Sequence, residues 1–265
     1  MNLSPVKLLR ALLVGALLAA SCVAHAAASF NTASAITQGA AGTVSVTVTA
    51  SAGDTILVFV LGGTGAGSRA VTDSRSQSYS NGLTGTPMSD TSDTYQSDVF
   101  YCKNAAAGST IITFSDGNSV NPVIHAVLIS GAHATSPIGV TSFLSNNALA
   151  NPTNGITTGT AGSAVVAWIV DGRPADTITL SGTGGTWSTD TAQTGVIGVA
   201  VMQGHVLAPS TGAYTPTWSG VAATRTNMLA TVEVKPSAGG APPFNGMMFS
   251  ASTGASSRKS AVMRP

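Results

Sequence analysis

The stretch AGDTILVFVLGG (52–63) recurs without a gap as AGSAVVAWIVDG (161–172). The match continues around it. QSYS (77–80) falls opposite GTWS (185–188), and AGSTIITFS (107–115) lies over TGAYTPTWS (211–219). VIHAVLIS (123–130) lies over MLATVEVK (228–235) after a one-residue shift in the connecting loop. A repeat on this scale restricts the fold severely, because each copy must bring the same elements in the same order. A half of this kind has an apolar face that needs a cover. Two similar halves packed face to face supply one. The expected unit is therefore a single β-sandwich domain over 27–236, internally duplicated over about 43–131 and 157–235.

The elements themselves read as strands. TVSVTVTA (43–50) alternates, with Val44, Val46 and Val48 on one side and hydroxyl residues on the other. Such alternation marks a half-buried strand. TILVFVL (55–61) is apolar on both sides and suits a central strand. Glu233 is the only glutamate, and threonine is abundant where helix formers are scarce. No stretch after residue 26 carries a helical stripe. Short strands with Gly, Ser and Asn between them predict an all-β, antiparallel β-sandwich.

The residues AGDTILVFV, VTDSRSQSYS, VFYCKNAAAGSTIITFS and VIHAVLISGA, followed by GTWSTD and PTWSG, carry a resemblance. Together they resemble a jelly-roll-like β-sandwich module of uncharacterised exported bacterial proteins and some phage structural proteins. The resemblance covers nearly all of 30–236. It implies a jelly-roll-like sandwich and brings no shared activity with it. The sequence departs from the common pattern at VTDSRSQSY, where such modules often have Gly-Asn after the serine.

The chain ends have a different character. Lys7 and Arg10 precede the apolar run ALLVGALLAASCVA, and AHA (24–26) offers small residues for cleavage. This is the build of a signal peptide over 1–26, so the expected location is periplasmic or extracellular. Cys22 after LAAS offers a lipoprotein alternative, against which Ala19 stands where a larger aliphatic is usual. No later apolar run approaches a membrane span. Cleavage would leave Cys102 as the one thiol, read as a small core residue. Residues 237–265 are rich in Pro, Gly, Ala and Ser and read as a flexible tail.

Several chemistries are disfavoured. The glycine cluster LGGTGAGSRA (61–70) follows a strand, as a phosphate-binding loop would. But the following RAVTDSRSQSYSNGLTGTP has no helical period, and Gly63, Gly65 and Gly67 give the wrong spacing. The equivalent segment of the second half, DGRPAD, also links two strands, so both read as turns. No G-x-S-x-G elbow is present. Charged residues make up only 8% of the chain without a basic stripe, which argues against nucleic acid. His125, His133 and His205 lack metal-ligand spacing. His125 shares a strand face with Val123, Val127 and Ile129 and reads as a core histidine.

Two regions remain as candidate ligand sites. Trp168, Trp187 and Trp218 match Phe59, Tyr79 and Phe114 of the first half, which reads as core packing. Tyr214 matches Thr110 instead, and with Pro216 and Trp218 it would form a stacking platform for a glycan. The second region is the longer loop NGLTGTPMSDTSDTYQSD (81–98), with Asp90, Asp93, Tyr95 and Asp98. Its asymmetry makes it a recognition candidate. The carboxylates of Asp90, Asp93 and Asp98 are a weak calcium candidate, with no other cofactor implied. The leading expectation is a non-catalytic exported module that contacts a surface, a matrix, or a polysaccharide or other cell-surface component. A structural assembly protein of the phage-virion type is the alternative, and a polysaccharide hydrolase using aspartates is the second.

Overall fold

The computed structural model describes residues 27–237 except 41, 64–68, 81–82, 84–86, 90–94, 118–120, 148, 175, 197 and 223–225. The expected signal peptide, Asp90, Asp93 and the tail from 238 lie outside the described residues. The first half contains β1 (Ser29–Ala33), β2 (Thr37–Gln38), β3 (Thr43–Ala50), β4 (Thr55–Gly63) and β5 (Arg69–Asp73). It continues with β6 (Met88–Ser89), β7 (Tyr95–Cys102), β8 (Gly108–Asp116) and β9 (Val123–Ser130). The second half contains β10 (Ile138–Asn147), β11 (Ile156–Thr158), β12 (Ser163–Asp171), β13 (Thr179–Thr183) and β14 (Ser188–Val196). It ends with β15 (Val199–Ala208), β16 (Gly212–Ser219) and β17 (Asn227–Val234). The pairings between these strands are antiparallel, as expected for an all-β sandwich.

The layering differs from the expectation in one respect. Each half brings two sheets rather than one. The first half has a large sheet of order β1-β9-β4-β7-β6, with β2 also on β9, and a small sheet of order β3-β8-β5. The second has a large sheet of order β10-β17-β12-β15-β14 and a small sheet of order β11-β16-β13. Each small sheet covers the outer face of its large sheet, and the two large sheets face each other. The apolar composition explains this. β4, β9, β12 and β17 are buried on both faces, so each requires a layer on either side.

Alternation sends successive residues into different cores. Ile56, Val58 and Val60 of β4 meet Val44, Val46 and Val48 of β3 and Ile112 and Phe114 of β8 in one outer core. Leu57, Phe59 and Leu61 point the other way, into the central core with Val166, Trp168, Val201, Ala230 and Val232. The second outer core holds Ala167, Ile169, Met202, Trp218 and Leu229, continued by Ile156, Val165 and Tyr214. Burying one such side chain contributes about 1.5–3 kcal/mol, so three continuous cores hold the stack without a disulfide. Cys102 is a buried free thiol, as read, and burial pushes its pKa up to about 11.

The same register recurs in both large sheets. Phe59 pairs with His125 and Val99, and Trp168 pairs with Ala230 and Gln203. The turns entering β4 and β12 also correspond: Gly53 and Gly162 both take positive φ, 90° and 79°, where a side chain would be strained.

Candidate functional site

Among the site residues expected from sequence, the aromatic platform is corrected first. β16 has the burial pattern of an inner-facing strand, and its inward residues are Tyr214, Pro216 and Trp218. The three do share a face, but that face is turned to the core. Tyr214 is 2% and Trp218 0% exposed, and the Tyr214 hydroxyl donates to Ser210 O at 2.8 Å. Neither ring offers a stacking surface to solvent. Alternation was read correctly there, but the choice of face was not.

Of the 81–98 region, the described residues include two paired strand segments. Met88 and Ser89 pair with Ser97 and Gln96, and Tyr95–Asp98 form the start of β7. Tyr95 is half-buried against the central core. Asp98 is buried, with Oδ1 accepting from Val99 N–H at 2.7 Å, and it lies near enough to Arg69 to favour that guanidinium's charge. Asp98 is therefore an inward-turned carboxylate, while Asp90 and Asp93 lie outside the described residues. Of the glycine cluster, residues 64–68 lie outside the described residues; β4 ends at Gly63 and the next described element is strand β5.

The three histidines do not converge, and among the described residues no three of His, Cys, Asp and Glu gather as metal ligands. His133 accepts from Ser136 N–H at 3.1 Å. His125 and His205 instead belong to one buried polar chain between the large sheets. His125 Nε2 donates to Gln203 Oε1 (3.2 Å), and Gln203 Nε2 donates to Asp190 Oδ2 (2.8 Å). Asp190 also accepts from His205 Nδ1 at 2.8 Å. This tautomer follows from the network, because Gln203 must present its carbonyl to His125 once its amide faces Asp190. Trp168 stacks on Phe59 (5.4 Å between centroids) and on His125 (5.8 Å), and its Nε1 donates to Ser97 Oγ at 3.3 Å. Burial pushes His125 down to about 4, outweighing the Gln203 hydrogen bond that opposes it. The ring is neutral near pH 7 and serves as a hydrogen-bonded packing element.

Glu233 is a second buried polar centre. It is 1% exposed and accepts from Val140 N–H (2.9 Å), Thr160 N–H (3.3 Å) and Ser163 Oγ (2.8 Å). Its donors come from the irregular start of β10 and the turn before β12, so it locks the corner where the second half begins. Its isolation as the sole glutamate on a strand was the sequence signal.

The outward faces of the small sheets are the most extended chemical feature. On β3, Thr43, Ser45, Thr47 and Thr49 all point to solvent. Their cross-strand partners on β8 are Ser115, Thr113, Ile111 and Ser109. Ala70 and Thr72 of β5 complete the face. Ser45 Oγ and Thr113 Oγ1 lie 2.8 Å apart. On the opposite side, Thr179, Ser181 and Thr183 of β13 pair with Ser219, Thr217 and Thr215 of β16, and Thr157 of β11 pairs with Ala213. Neither set contains a charged residue. Hydroxyls recur about 7 Å along a strand and about 5 Å across strands.

The sequence matches no protein-family model, no curated protein and no solved structure.

Proposed function

We propose that the protein is a non-catalytic, exported recognition or matrix module that contacts a neutral, hydroxyl-rich polymer through its outer sheet faces. The observation that carries this reading is the uncharged Ser/Thr ladder of β3 and β8, mirrored on β13 and β16. A soluble protein normally covers such faces with Lys and Glu. Here charged residues are 8% of the chain. A neutral polysaccharide presents donors and acceptors at every ring, and a hydroxyl face meets them without desolvating a charge. Export through the N-terminal segment, a jelly-roll-like family origin and descent of the halves from one duplicated unit belong to the same reading. They are supported by the leader pattern and by the repeated strand order.

The test is retention of the purified chain on insoluble neutral polysaccharides such as cellulose, chitin and β-glucan. Saturable retention by wild type, reduced at least tenfold by Thr47→Lys, is expected. Equal retention of the two proteins would refute the outer-face assignment. An assembly role has its own supporting observation: the edge strand β10 exposes Val140 (43%) and Leu144 (37%), and a bare apolar edge invites strand pairing. Concentration-dependent oligomers abolished by Val140→Lys would favour that reading.

A further inference from the structure

Asp171 is the last residue of β12 and pairs directly with Asn227, the first residue of β17. Directly opposed residues share a sheet face, and this one is the face of Ile169 and Leu229, turned to the second small sheet. Both side chains are fully buried. Neither carboxylate oxygen of Asp171 has a hydrogen-bond donor, and neither does Asn227 Oδ1. Asn227 Nδ2 is used, donating to Leu149 O at 3.2 Å, which leaves Oδ1 as the amide's unused acceptor. The Arg173 backbone N–H lies near enough to favour the charged Asp171 but misses hydrogen-bond geometry.

A second carboxylate reaches the same corner. Asp176 lies within hydrogen-bonding reach of Asp171, yet two carboxylates are acceptors only. Asp176 Oδ2 accepts from Ala222 N–H at 3.1 Å, and Oδ1 faces Arg173 Nε at 3.3 Å. The corner therefore holds two carboxylates and an amide oxygen. Among the described residues the nearby cation is Arg173, which is substantially exposed and engages Asp176 from the outside. Buried acceptors without donors are rare and call for a counter-charge.

We propose that Asp171, Asp176 and Asn227 bind a hard divalent cation of calcium size, tying the β12–β13 connection to the β16–β17 connection. Oxygen-only ligands select a hard ion, and a largely dehydrated pocket suits calcium better than magnesium, which keeps its waters. Burial, and then Asp176, pushes Asp171 up to about 7, as expected of carboxylates lacking a counter-ion. The proposal is independent of the outer-face reading, since the site lies inside the sandwich.

The experiment uses the full chain stripped with chelator. Calcium is added during thermal unfolding, and terbium emission is excited through Trp218, which lies in the core cluster flanking the site. The expected result is a calcium-dependent rise in Tm of several degrees and sensitised terbium emission displaced by calcium. Asp176→Asn is expected to weaken binding at least tenfold. Arg173→Gln is expected to bind at wild-type strength or tighter, since a competing cation is gone. No Tm shift and no terbium emission would overturn the proposal and leave the corner to a proton or water. Undiminished binding by Asp176→Asn would overturn it too, by placing the ion elsewhere. If Asp176→Asn fails to fold, Trp218→Phe decides: it should silence terbium emission while keeping the calcium-induced rise in Tm, and persistent emission would overturn the site.

Discussion

The two halves share strand order and register, yet they treat one corner in opposite ways. At the end of β4 the residue equivalent to Asp171 is Gly62. A side chain there would collide with the Asp116 carboxylate, which comes from the end of β8. That carboxylate lies 3.7 Å from the buried Arg69 guanidinium, which also donates to Gly63 O. In the second half the carboxylate is on the strand itself, a second stands beside it, and the arginine is outside. One corner sets a buried arginine against its carboxylates, and the other keeps its arginine at the surface. The lesson is that a shared backbone does not fix polar chemistry. Where the backbone ladder is satisfied by the sheet, side-chain charge is free to diverge, and it is at such divergences that a site can be sought.

The halves also differ where they meet. Phe59 and His125 face Trp168 and Ala230 across the central core. Trp168 contributes its ring to both halves and its Nε1–H to Ser97 of the first. Trp168→Ala should therefore be the most damaging change, costing about 4 kcal/mol through the cavity and the orphaned Ser97 partner. Urea unfolding measures it. If the cost stays below that of Val→Ala changes in the outer cores, the halves are held together by something other than this ring stack.

Glu233 gives the next largest effect. By register its first-half equivalent is Leu128, an outer-core residue. Glu233→Leu makes the second half resemble the first in composition. It should nonetheless cost about 3 kcal/mol, because the Val140 and Thr160 amides and the Ser163 hydroxyl lose a charged acceptor. A neutral or stabilising outcome in chemical denaturation would mean that water replaces the carboxylate without loss.

This contrast shows what the sequence could and could not disclose. Strands were legible because apolar alternation and buried runs follow from one- and two-sided burial, and β3, β4, β9 and β12 illustrate each case. The aromatic matches Phe59/Trp168 and Phe114/Trp218 were legible as core, since a ring stands at both matched positions. The second sheet of each half was harder to see, because β3, β8 and β5 alternate like any half-exposed strands, and nothing local says which sheet they join. Tyr214 was misplaced because period two gives the face but not its direction. Asp171, Asp176 and Asn227 are 56 residues apart at most in the chain and meet only through the β12–β17 register, which no local pattern encodes.

His125 sharpens the comparison through pH. Its ordinary value of 6.5 falls to about 4 in the folded protein. Between those values the unfolded chain binds the proton and the folded chain does not, so stability rises with pH. Its contribution is fully present above about pH 6.5 and is lost progressively as pH falls toward 4. From pH 7 to pH 5 the loss should be about 2 kcal/mol. Ala230 occupies the equivalent position in the second half and cannot titrate. His125→Gln should flatten the slope in this window. An unchanged slope would mean that His125 does not supply it.

The smallest effect on stability and the largest on recognition are expected together, on the outer faces. Thr47→Lys and Thr217→Lys sit on opposite sides of the stack, each in a row of hydroxyls. Thr47 is exposed and Thr217 half-buried, and neither side chain lines a core. Stability should move by no more than about 0.5 kcal/mol in either variant. Their binding should differ. The first face is an unbroken ladder on β3 with Ile111 at its centre, giving a hydroxyl surface with an apolar patch suited to a sugar ring. The second sets Thr179, Ser181 and Thr183 against the half-buried Ser219, Thr217 and Thr215, with no apolar side chain among them. Retention on polysaccharide should therefore fall at least tenfold with Thr47→Lys and only slightly with Thr217→Lys. Equal loss would mean that both faces bind and that the protein is bivalent, with the avidity that two linked contacts bring.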